Sequence, residues 1–258
     1  MQVMRMIEKA FNAKRDHAIF ESSPGLLERS ITMFQLILPE AIKNRDRYWS
    51  QFGQDILVST LLSGKKGGTF LDIGARCGIV NSNTVALERY FEWSGQLIEP
   101  HRESAMKAKS VRKSPVLACA CSDETGMLEF VEFGEEPGHS RLQKDFKGRA
   151  SPEDVERYSV QVTTVAEICS SNNYQHIDYL DIDVEGGELS VLKGTDLGHV
   201  SFNLIGVETH PTAFDEVSRY LERFHYLPRL RLGVDTFYAK DDVWEEITSR
   251  LPRLVIGA

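Results

Sequence analysis

The feature that most constrains the fold is a regular alternation of short apolar runs with amphipathic segments, which begins near Gln51. The apolar runs predict buried strands, and the segments between them have the spacing of helices. This β–α alternation predicts an α/β fold with a mostly parallel sheet and helices on both faces. The stretch 227–240 instead predicts two strands that turn at Gly233 and Val234, which would form an antiparallel hairpin at one edge of the sheet.

The predicted strands and helices follow one another closely from the first apolar run onward. The segment 134–154 is the exception, since its glycines, prolines and charged residues predict a long loop, and loops of this length are usually functional or mobile. We predict strands at 69–74, 95–99, 115–120, 127–133, 159–165, 177–183 and 202–208, and helices at 54–62, 82–91, 101–110, 166–171, 188–192 and 213–224.

Residues 1–50 have a different character from the rest of the chain. They are charged and helix-prone, with one apolar stretch from Leu26 to Leu38 that follows Ser22, Ser23 and Pro24. We therefore divide the chain into an N-terminal helical extension, 1–50, and an α/β domain, 51–258. The sequence leaves open whether this extension covers the domain, pairs with a second subunit or forms a lid over a pocket.

Composition and charge exclude several classes of function. The net charge of −8 and the pI near 5.5 argue against a protein that binds duplex nucleic acid, because such binding depends on a basic face. No apolar run approaches the roughly 20 residues that span a bilayer, and the N-terminus does not resemble a secretory signal. The four cysteines lack zinc-type spacing. We therefore expect a cytoplasmic protein with no nucleic-acid or membrane partner.

The candidate functional residues are those that end the predicted strands. In a parallel sheet, ligands bind outside the carboxyl ends of the strands, at the point where the strand order reverses. An acidic residue lies at or near each of five strand ends, namely Asp72, Glu99, Asp123, Asp183 and Glu208. This pattern predicts a ligand-binding crevice lined by carboxylates.

The turn after the first strand, Asp72-Ile-Gly-Ala-Arg-Cys-Gly78, indicates which ligand this crevice takes. It is not a dinucleotide-binding turn, because Arg76 replaces the second glycine and Asp72 would repel a diphosphate. A cationic ligand without phosphate, such as S-adenosylmethionine (SAM), suits an acid and a glycine turn. Glu99 ends the next strand, where a carboxylate accepts hydrogen bonds from both ribose hydroxyls. Together these residues predict SAM binding.

Over roughly 48–241, the chain contains several longer stretches whose residues, order and spacing together resemble the FkbM family of SAM-dependent methyltransferases. The most specific is the block Asp183-Val-Glu-Gly-Gly-Glu188. The resemblance implies a class I methyltransferase fold and methyl transfer from SAM, often to a hydroxyl of a sugar or secondary metabolite. Two departures are Arg76, where relatives commonly carry asparagine, and Cys77, where a small polar residue is usual. The other matching stretches include Ser50-Gln-Phe-Gly-Gln-Asp55, Phe70-Leu-Asp-Ile-Gly-Ala75, Ile98-Glu-Pro100 and Ile205-Gly-Val-Glu208.

The resemblance also implies a role for individual residues of this chain. It places the methionine part of SAM against the first turn, the ribose at Glu99, the adenine beside the turn after the third strand, and the reacting methyl beside Asp183. Gln54 and Asp55 would close over the cofactor, although a capped, solvated helix start is the alternative. The implied cofactor-binding set is Gln54, Asp55, Asp72, Gly74, Ala75, Gly78, Asn83, Thr84, Glu99, Ser122, Asp123 and Asp183, with Asn83 and Thr84 equally consistent with residues of a first helical turn.

Methyl transfer to a hydroxyl requires a group that removes or shares the acceptor's proton. The predicted catalytic residues are Asp183, Glu208 and His210, and His210 is the preferred base because imidazole titrates near neutral pH. His210 also has a structural interpretation, since the adjacent Pro211 suits a strand end. The same three residues would alternatively hold one divalent cation, an ion that we do not assign. His139, in the predicted loop, is a candidate contact for the acceptor.

Two other functions stay open at this point. One is a regulatory or scaffold domain that binds SAM without turnover, and the other is a nicotinamide-dependent oxidoreductase, which Asp72 and Arg76 disfavour. The expected partner is a small-molecule or glycan acceptor. The sequence also leaves a homo-oligomer open.

Overall fold

The computed structural model describes residues 15–133, 140–145 and 155–251, which form two compact units. The described residues of the first unit are 15–68, 81–93 and 203–251. Those of the second unit are 69–80, 94–133, 140–145 and 155–202. Part of the predicted loop 134–154, including His139, lies outside the described residues.

The described residues form strands and helices in close agreement with the predicted alternation. The strands are β1 Thr69–Ile73, β2 Ser94–Ile98, β3 Val116–Leu117, β4 Ala120–Cys121, β5 Gly126–Phe133, β6 Arg141–Leu142, β7 Val155–Thr163, β8 His176–Ile182, β9 Ser201–Glu208, β10 Leu227–Leu232 and β11 Asp235–Ala239. The helices are α1 His17–Ser22, α2 Leu26–Lys43, α3 Gln54–Leu61, α4 Val85–Phe91, α5 Arg102–Val111, α6 Val165–Ser171, α7 Glu188–Lys193, α8 Pro211–Glu222 and α9 Asp241–Ser249, with 3₁₀ turns at Arg45–Arg47 and Gln143–Asp145.

The second unit contains a parallel sheet with the order β8–β1–β2–β3. Strand β1 lies between β8 and β2, and its apolar residues are buried, as expected for a central parallel strand. Asp72 pairs in register with Leu97 of β2 and Asp181 of β8. The carboxyl ends of these three strands therefore lie side by side, as the α/β prediction requires.

A second sheet in this unit, with the order β4–β7–β5–β6, was not predicted from the sequence. The predicted strand 115–120 is wrong as a single element, because its first part pairs with β2 as β3 and its end pairs with β7 as β4. An apolar run shows that a segment is buried but not which sheet it joins. Within the predicted loop, Arg141 and Leu142 form β6, whose partner is β5.

The first unit contains the predicted hairpin, in which β10 and β11 are antiparallel and β11 pairs with β9 in the same manner. The turn between β10 and β11 contains Gly233, which has a φ of +66°. A Cβ at this glycine would lie 2.1 Å from the Phe52 ring, so a larger residue does not fit. The mostly parallel α/β fold with an antiparallel hairpin is thus confirmed.

The described part of the N-terminal extension, 15–50, packs within the first unit. Helix α2 lies against β10, where the Ser30 hydroxyl accepts a hydrogen bond from the backbone N–H of Arg231 at 2.8 Å. Ile19 and Leu26 form a buried cluster with Phe214 of α8. This part of the extension therefore covers β10 and α8.

Helices α4 and α9 differ most from the prediction. Helix α4 begins at Val85, three residues later than predicted, and the Ser82 hydroxyl accepts hydrogen bonds from the N–H groups of Thr84 and Val85, which hold residues 82–84 in a turn before the helix. Helix α9 was not predicted. In the part of the chain that the structure describes, no helix has the length and apolar character needed to cross a bilayer.

Candidate cofactor pocket

The turn after β1 joins the ends of three neighbouring strands. The N–H groups of Gly74 and Ala75 both donate to the carbonyl oxygen of Ile98, at 2.9 and 3.1 Å. The N–H of Asp183, directly after β8, donates to the carbonyl oxygen of Ile73 at 2.9 Å. Gly74 has a φ of +97°, a conformation that favours glycine. These hydrogen bonds bring the first turn, the end of β2 and Asp183 together at one edge of the sheet.

Glu99 is held at this edge by two backbone N–H groups. Its Oε2 accepts from the N–H of Arg76 at 2.6 Å, and its Oε1 accepts from the N–H of His101 at 2.7 Å. The side chain is 5% exposed, and this burial raises the pKa of Glu99 to about 7, although the two N–H donors oppose the shift. Each carboxylate oxygen accepts through one lone pair here, which leaves acceptor capacity for a ligand hydroxyl.

Asp72 is buried beside a cation that the sequence did not reveal. Arg112 Nη1 lies 3.9 Å from Asp72 Oδ2 and donates to the carbonyl oxygen of Gly78 at 3.1 Å. The guanidinium also lies over the Phe70 ring, 5.6 Å from its centroid. Arg112 therefore neutralises part of the charge of Asp72 and holds both ends of the turn from Asp72 to Gly78.

The second unit contains a pocket at this edge, with about 620 Å³ of space, its open mouth included. Three predicted residues line it, Gly74, Glu99 and Asp183. Apolar walls come from Ile73, Ile98, Pro100, Ala120, Phe130, Leu142 and Val184, and further polar groups come from Arg76, Ser104, Cys121, Ser140, Arg141, Asp145 and Glu185.

The other predicted residues of this unit do not line the pocket. Ala75 and Gly78 belong to the first turn, and Gly78, with a φ of +76°, packs against Arg112. Ser122 is fully buried and donates to Asp123 Oδ1 at 3.1 Å. Asp123 is exposed and pairs with Lys144 Nζ at 2.6 Å, a hydrogen bond that lowers the pKa of Asp123. The contact of Ser122 and Asp123 with an adenine stays a prediction.

Four predicted cofactor residues, Gln54, Asp55, Asn83 and Thr84, belong to the first unit, and all are buried rather than solvated. Gln54 donates to Asp235, and Asp55 accepts from the N–H groups of Trp49 and Ser50. Burial raises the pKa of Asp55 to about 6. These bonds fix the segment before α3, and a role at the cofactor stays a prediction.

The catalytic candidates are described in the unit to which each belongs. Asp183 of the second unit is half-buried in the pocket wall. In the first unit, His210 Nε2 lies 3.9 Å from Glu208 Oε1, and the imidazole is 59% exposed. His210 also precedes the first residue of α8, Pro211, as the structural interpretation of this residue expects.

Sequence reasoning missed three contributors to the pocket and its support: Arg112, Arg141 and Asp145. Arg112 is distant in sequence from Asp72, and a buried arginine has no local pattern. Arg141 and Asp145 fall within the predicted loop, where the only signal was the presence of charged residues. Arg141 Nη2 lies 3.7 Å from Glu185 Oε2, so this pair forms part of the pocket wall.

Two solved structures similar to this chain are both methyltransferases. One is described as methyltransferase FkbM from Methylobacillus flagellatus, with 15% sequence identity, a TM-score of 0.44 and coverage of 81% of this chain. The other is the plantazolicin methyltransferase in complex with SAH, with 13% identity, a TM-score of 0.30 and coverage of 80% of this chain. This chain spans 59% and 60% of the lengths of those two chains. No curated protein matches it significantly in sequence.

A sequence profile of the methyltransferase FkbM domain matches residues 72–228, which is more than half of the chain. The matched region begins at Asp72 and includes the first turn, Glu99 and Asp183. It also contains the whole of the second sheet of this unit and all of the parallel sheet except residues 69–71 of β1. The chain therefore belongs to the methyltransferase FkbM family.

Proposed function

We propose that this chain is a SAM-dependent methyltransferase that methylates a hydroxyl oxygen of a sugar or other small molecule. The observation that carries this proposal is the position of Glu99. Its buried carboxylate lines the same pocket as Gly74 and is held by the N–H groups of Arg76 and His101. A fixed carboxylate with spare acceptor capacity suits the two hydroxyls of a ribose.

The residues around the pocket also fit the charges of this cofactor. Four carboxyl groups line it, those of Glu99, Asp145, Asp183 and Glu185, and they favour a ligand that carries positive charge. SAM has an ammonium and a sulfonium but no phosphate. When bound, it supplies an activated methyl group for transfer to a nucleophile. The apolar walls exclude water from the nucleoside part of the ligand.

The chain's own residues would then position the acceptor and accept its proton. We assign Asp183 to the acceptor hydroxyl, because its carboxylate lies in the pocket wall beside Gly74. We assign the proton to His210, whose Nε2 lies 3.9 Å from Glu208 Oε1 in the first unit, because a neutral imidazole can accept a proton near neutral pH. The four cysteines are free thiols, and three are buried, which supports a reducing compartment such as the cytoplasm as the place of this activity.

The first experiment measures cofactor binding by calorimetry with SAM, SAH and NAD. We expect the wild-type protein to bind SAM and SAH but not NAD. Glu99→Ala should weaken SAM binding about 10- to 100-fold, because the ribose loses its charged acceptor. Glu103→Gln, on the exposed face of α5, is the matched control and should bind as the wild type does. A wild-type protein that does not bind SAM would overturn the proposal.

The second experiment measures transfer of labelled methyl groups to a library of hydroxyl-bearing acceptors, with and without EDTA. Asp183→Ala should lower turnover at least about 100-fold while leaving the fold intact. His210→Asn should lower turnover mainly at neutral and higher pH, where the wild-type imidazole is unprotonated and can act as a base, and the difference should shrink at low pH, where that imidazole is already protonated. The control is His199→Asn, because His199 is another exposed histidine paired with a carboxylate, that of Asp196. SAM binding without turnover on any acceptor would instead support a regulatory domain.

A further inference from the structure

The pocket wall carries two arginines whose surroundings differ. Arg141 is paired with Glu185, with 3.7 Å between Nη2 and Oε2. The guanidinium of Arg76 has no carboxylate within ion-pair distance among residues 15–133, 140–145 and 155–251, and its side chain is exposed. Arg76 is therefore a cation at the pocket whose charge the described residues leave available to a ligand.

The backbone at Arg76 fixes where this side chain starts. Its N–H donates to Glu99 Oε2 at 2.6 Å, so the backbone of Arg76 lies directly beside the carboxylate that we assign to the ribose. Its φ is +49°, in the left-handed region that glycine and asparagine adopt at lower cost than arginine. A non-glycine residue kept in this backbone conformation at a pocket indicates that the residue has a function there.

The distribution of charge around the pocket indicates what Arg76 binds. Its acidic groups, which include Glu99 and Asp183, suit the ammonium and sulfonium of SAM, but they would repel the carboxylate at the end of the same molecule. This carboxylate needs a cation. The first turn holds the amino-acid end of the cofactor in our assignment, and Arg76 belongs to that turn.

We propose that the Arg76 guanidinium binds the carboxylate of the cofactor's amino-acid end through charge-assisted hydrogen bonds. The proposal rests on SAM being the cofactor. The planar guanidinium presents two parallel N–H donors to a carboxylate, a geometry that an asparagine or lysine at this position does not reproduce. Arg76 would thus distinguish ligands that carry the amino-acid group from nucleosides that lack it.

The test compares two ligands that share the same nucleoside and differ only in the group attached to the sulfur. SAH carries the amino-acid group, whereas 5′-methylthioadenosine lacks it, and in both the sulfur is an uncharged thioether. We expect Arg76→Gln to weaken SAH binding about 10- to 100-fold in calorimetry. The same variant should bind 5′-methylthioadenosine within about twofold of the wild type, because the ribose contacts at Glu99 remain.

Three further variants separate this role from a loss of structure. Arg76→Asn should lose SAH affinity to a similar extent while keeping the thermal stability of the wild type, because asparagine tolerates the left-handed conformation. Arg76→Lys keeps the charge and should lose less affinity. Lys107→Gln, which removes one positive charge on the exposed face of α5, should change neither affinity.

Two results would overturn the proposal. One is SAH affinity that is unchanged in Arg76→Gln and Arg76→Asn, and the other is an equal loss for SAH and 5′-methylthioadenosine, which would place Arg76 at the nucleoside end. A wild-type protein that binds neither SAM nor SAH would refute the proposed function instead, so the two failures are distinguishable.

Discussion

The carbonyl oxygen of Asp183 occupies the position that a side chain on residue 74 would need. A Cβ built on Gly74 would lie 1.7 Å from that oxygen, far inside any van der Waals contact. The N–H of Asp183 is at the same time bonded to the carbonyl oxygen of Ile73. The close approach of the first turn to the end of β8 therefore requires glycine, independently of any ligand.

Gly74→Ala should consequently damage both the fold and the pocket. The overlap cannot be relieved by a side-chain rotation, since the obstructing atom belongs to the backbone. We expect a loss of roughly 3–5 kcal/mol in the free energy of unfolding, measured with urea, and no detectable SAM binding. The control is Gly67→Ala, because Gly67 also has a positive φ, +64°, but no atom lies within 4 Å of the position that its Cβ would take. Similar costs for both variants would contradict the steric explanation.

A second prediction concerns the buried pair of Asp72 and Arg112. Arg112→Met should destabilise the protein by about 3 kcal/mol or more, because it leaves the carboxylate of Asp72 without this cation. Asp72→Asn/Arg112→Met should be more stable than the sum of the two single variants predicts, by about 1–3 kcal/mol. Urea unfolding of the four proteins of this double-mutant cycle measures the coupling.

The exposed Lys109 of α5 provides the control for that cycle. Lys109→Met removes a cation from the helix that directly precedes Arg112 without uncovering a buried carboxylate, so its cost should be near zero. Its combination with Asp72→Asn should be additive. A coupling of zero between Asp72 and Arg112 would mean that the 3.9 Å separation carries no net interaction.

The third prediction is a pH dependence that originates at Glu99. Its pKa is about 7 in the folded chain, compared with an ordinary value of 4.5, so between these two pH values the folded chain binds more protons than the unfolded chain. Stability therefore falls as pH rises through this window, by up to about 3 kcal/mol from this group. Glu99→Gln should reduce the slope. Glu188, whose pKa burial also raises to about 7, contributes a slope of its own that should remain.

Urea unfolding at several pH values between about 4.5 and 7.5 measures this slope. Glu103→Gln serves as the control, because its carboxyl group is exposed and should leave the slope unchanged. The affinity for SAH should depend on pH in the opposite direction, because the ionised carboxylate of Glu99 is the better acceptor for the ribose hydroxyls. SAH affinity should therefore rise as pH approaches and passes about 7. An identical slope in the wild type and Glu99→Gln would contradict the assignment to Glu99.

The agreement between sequence and structure is greatest at the parallel strands. Strands β1, β2 and β8 begin and end within one residue of their predicted bounds, because each is a short stretch of apolar residues that ends next to a glycine or an acid. Since parallel strands end at the same edge, the proximity of Gly74, Glu99 and Asp183 followed from their positions in the sequence alone.

What the sequence did not reveal depends on contacts between distant residues. The Asp72–Arg112 pair joins the end of β1 to the residue after α5, and nothing in either segment specifies the other. The second sheet was missed because β3 and β4 are two residues long and separated by only two residues, so they read as one apolar run. Arg141 reaches the pocket because β6 pairs with β5, which composition alone does not predict.

A fourth prediction tests how the N-terminal extension is attached to the first unit. Arg231 and Asp16 are each 1% exposed, with 3.0 Å between Nη2 and Oδ1. The guanidinium also donates to the hydroxyl of Thr209 at 2.8 Å and to that of Thr236 at 2.9 Å. Burial alone would raise the pKa of Asp16, but its bonds with Arg15 and Arg231 outweigh this effect and lower the pKa below 3.8.

Asp16→Ala leaves the buried charge of Arg231 without its carboxylate and should cost about 3–5 kcal/mol in the free energy of unfolding. Helices α1 and α2 should become more sensitive to protease, because Asp16 directly precedes α1. Asp46→Ala, at an exposed position of the same extension, should change neither property. Asp16 contributes its stabilising interaction only while it is ionised. The free energy of unfolding of the wild type should therefore fall as pH drops below about 4, and that of Asp16→Ala should fall less over the same range. Equal proteolysis of the Asp16 and Asp46 variants at neutral pH would show that the pair does not hold the extension in place.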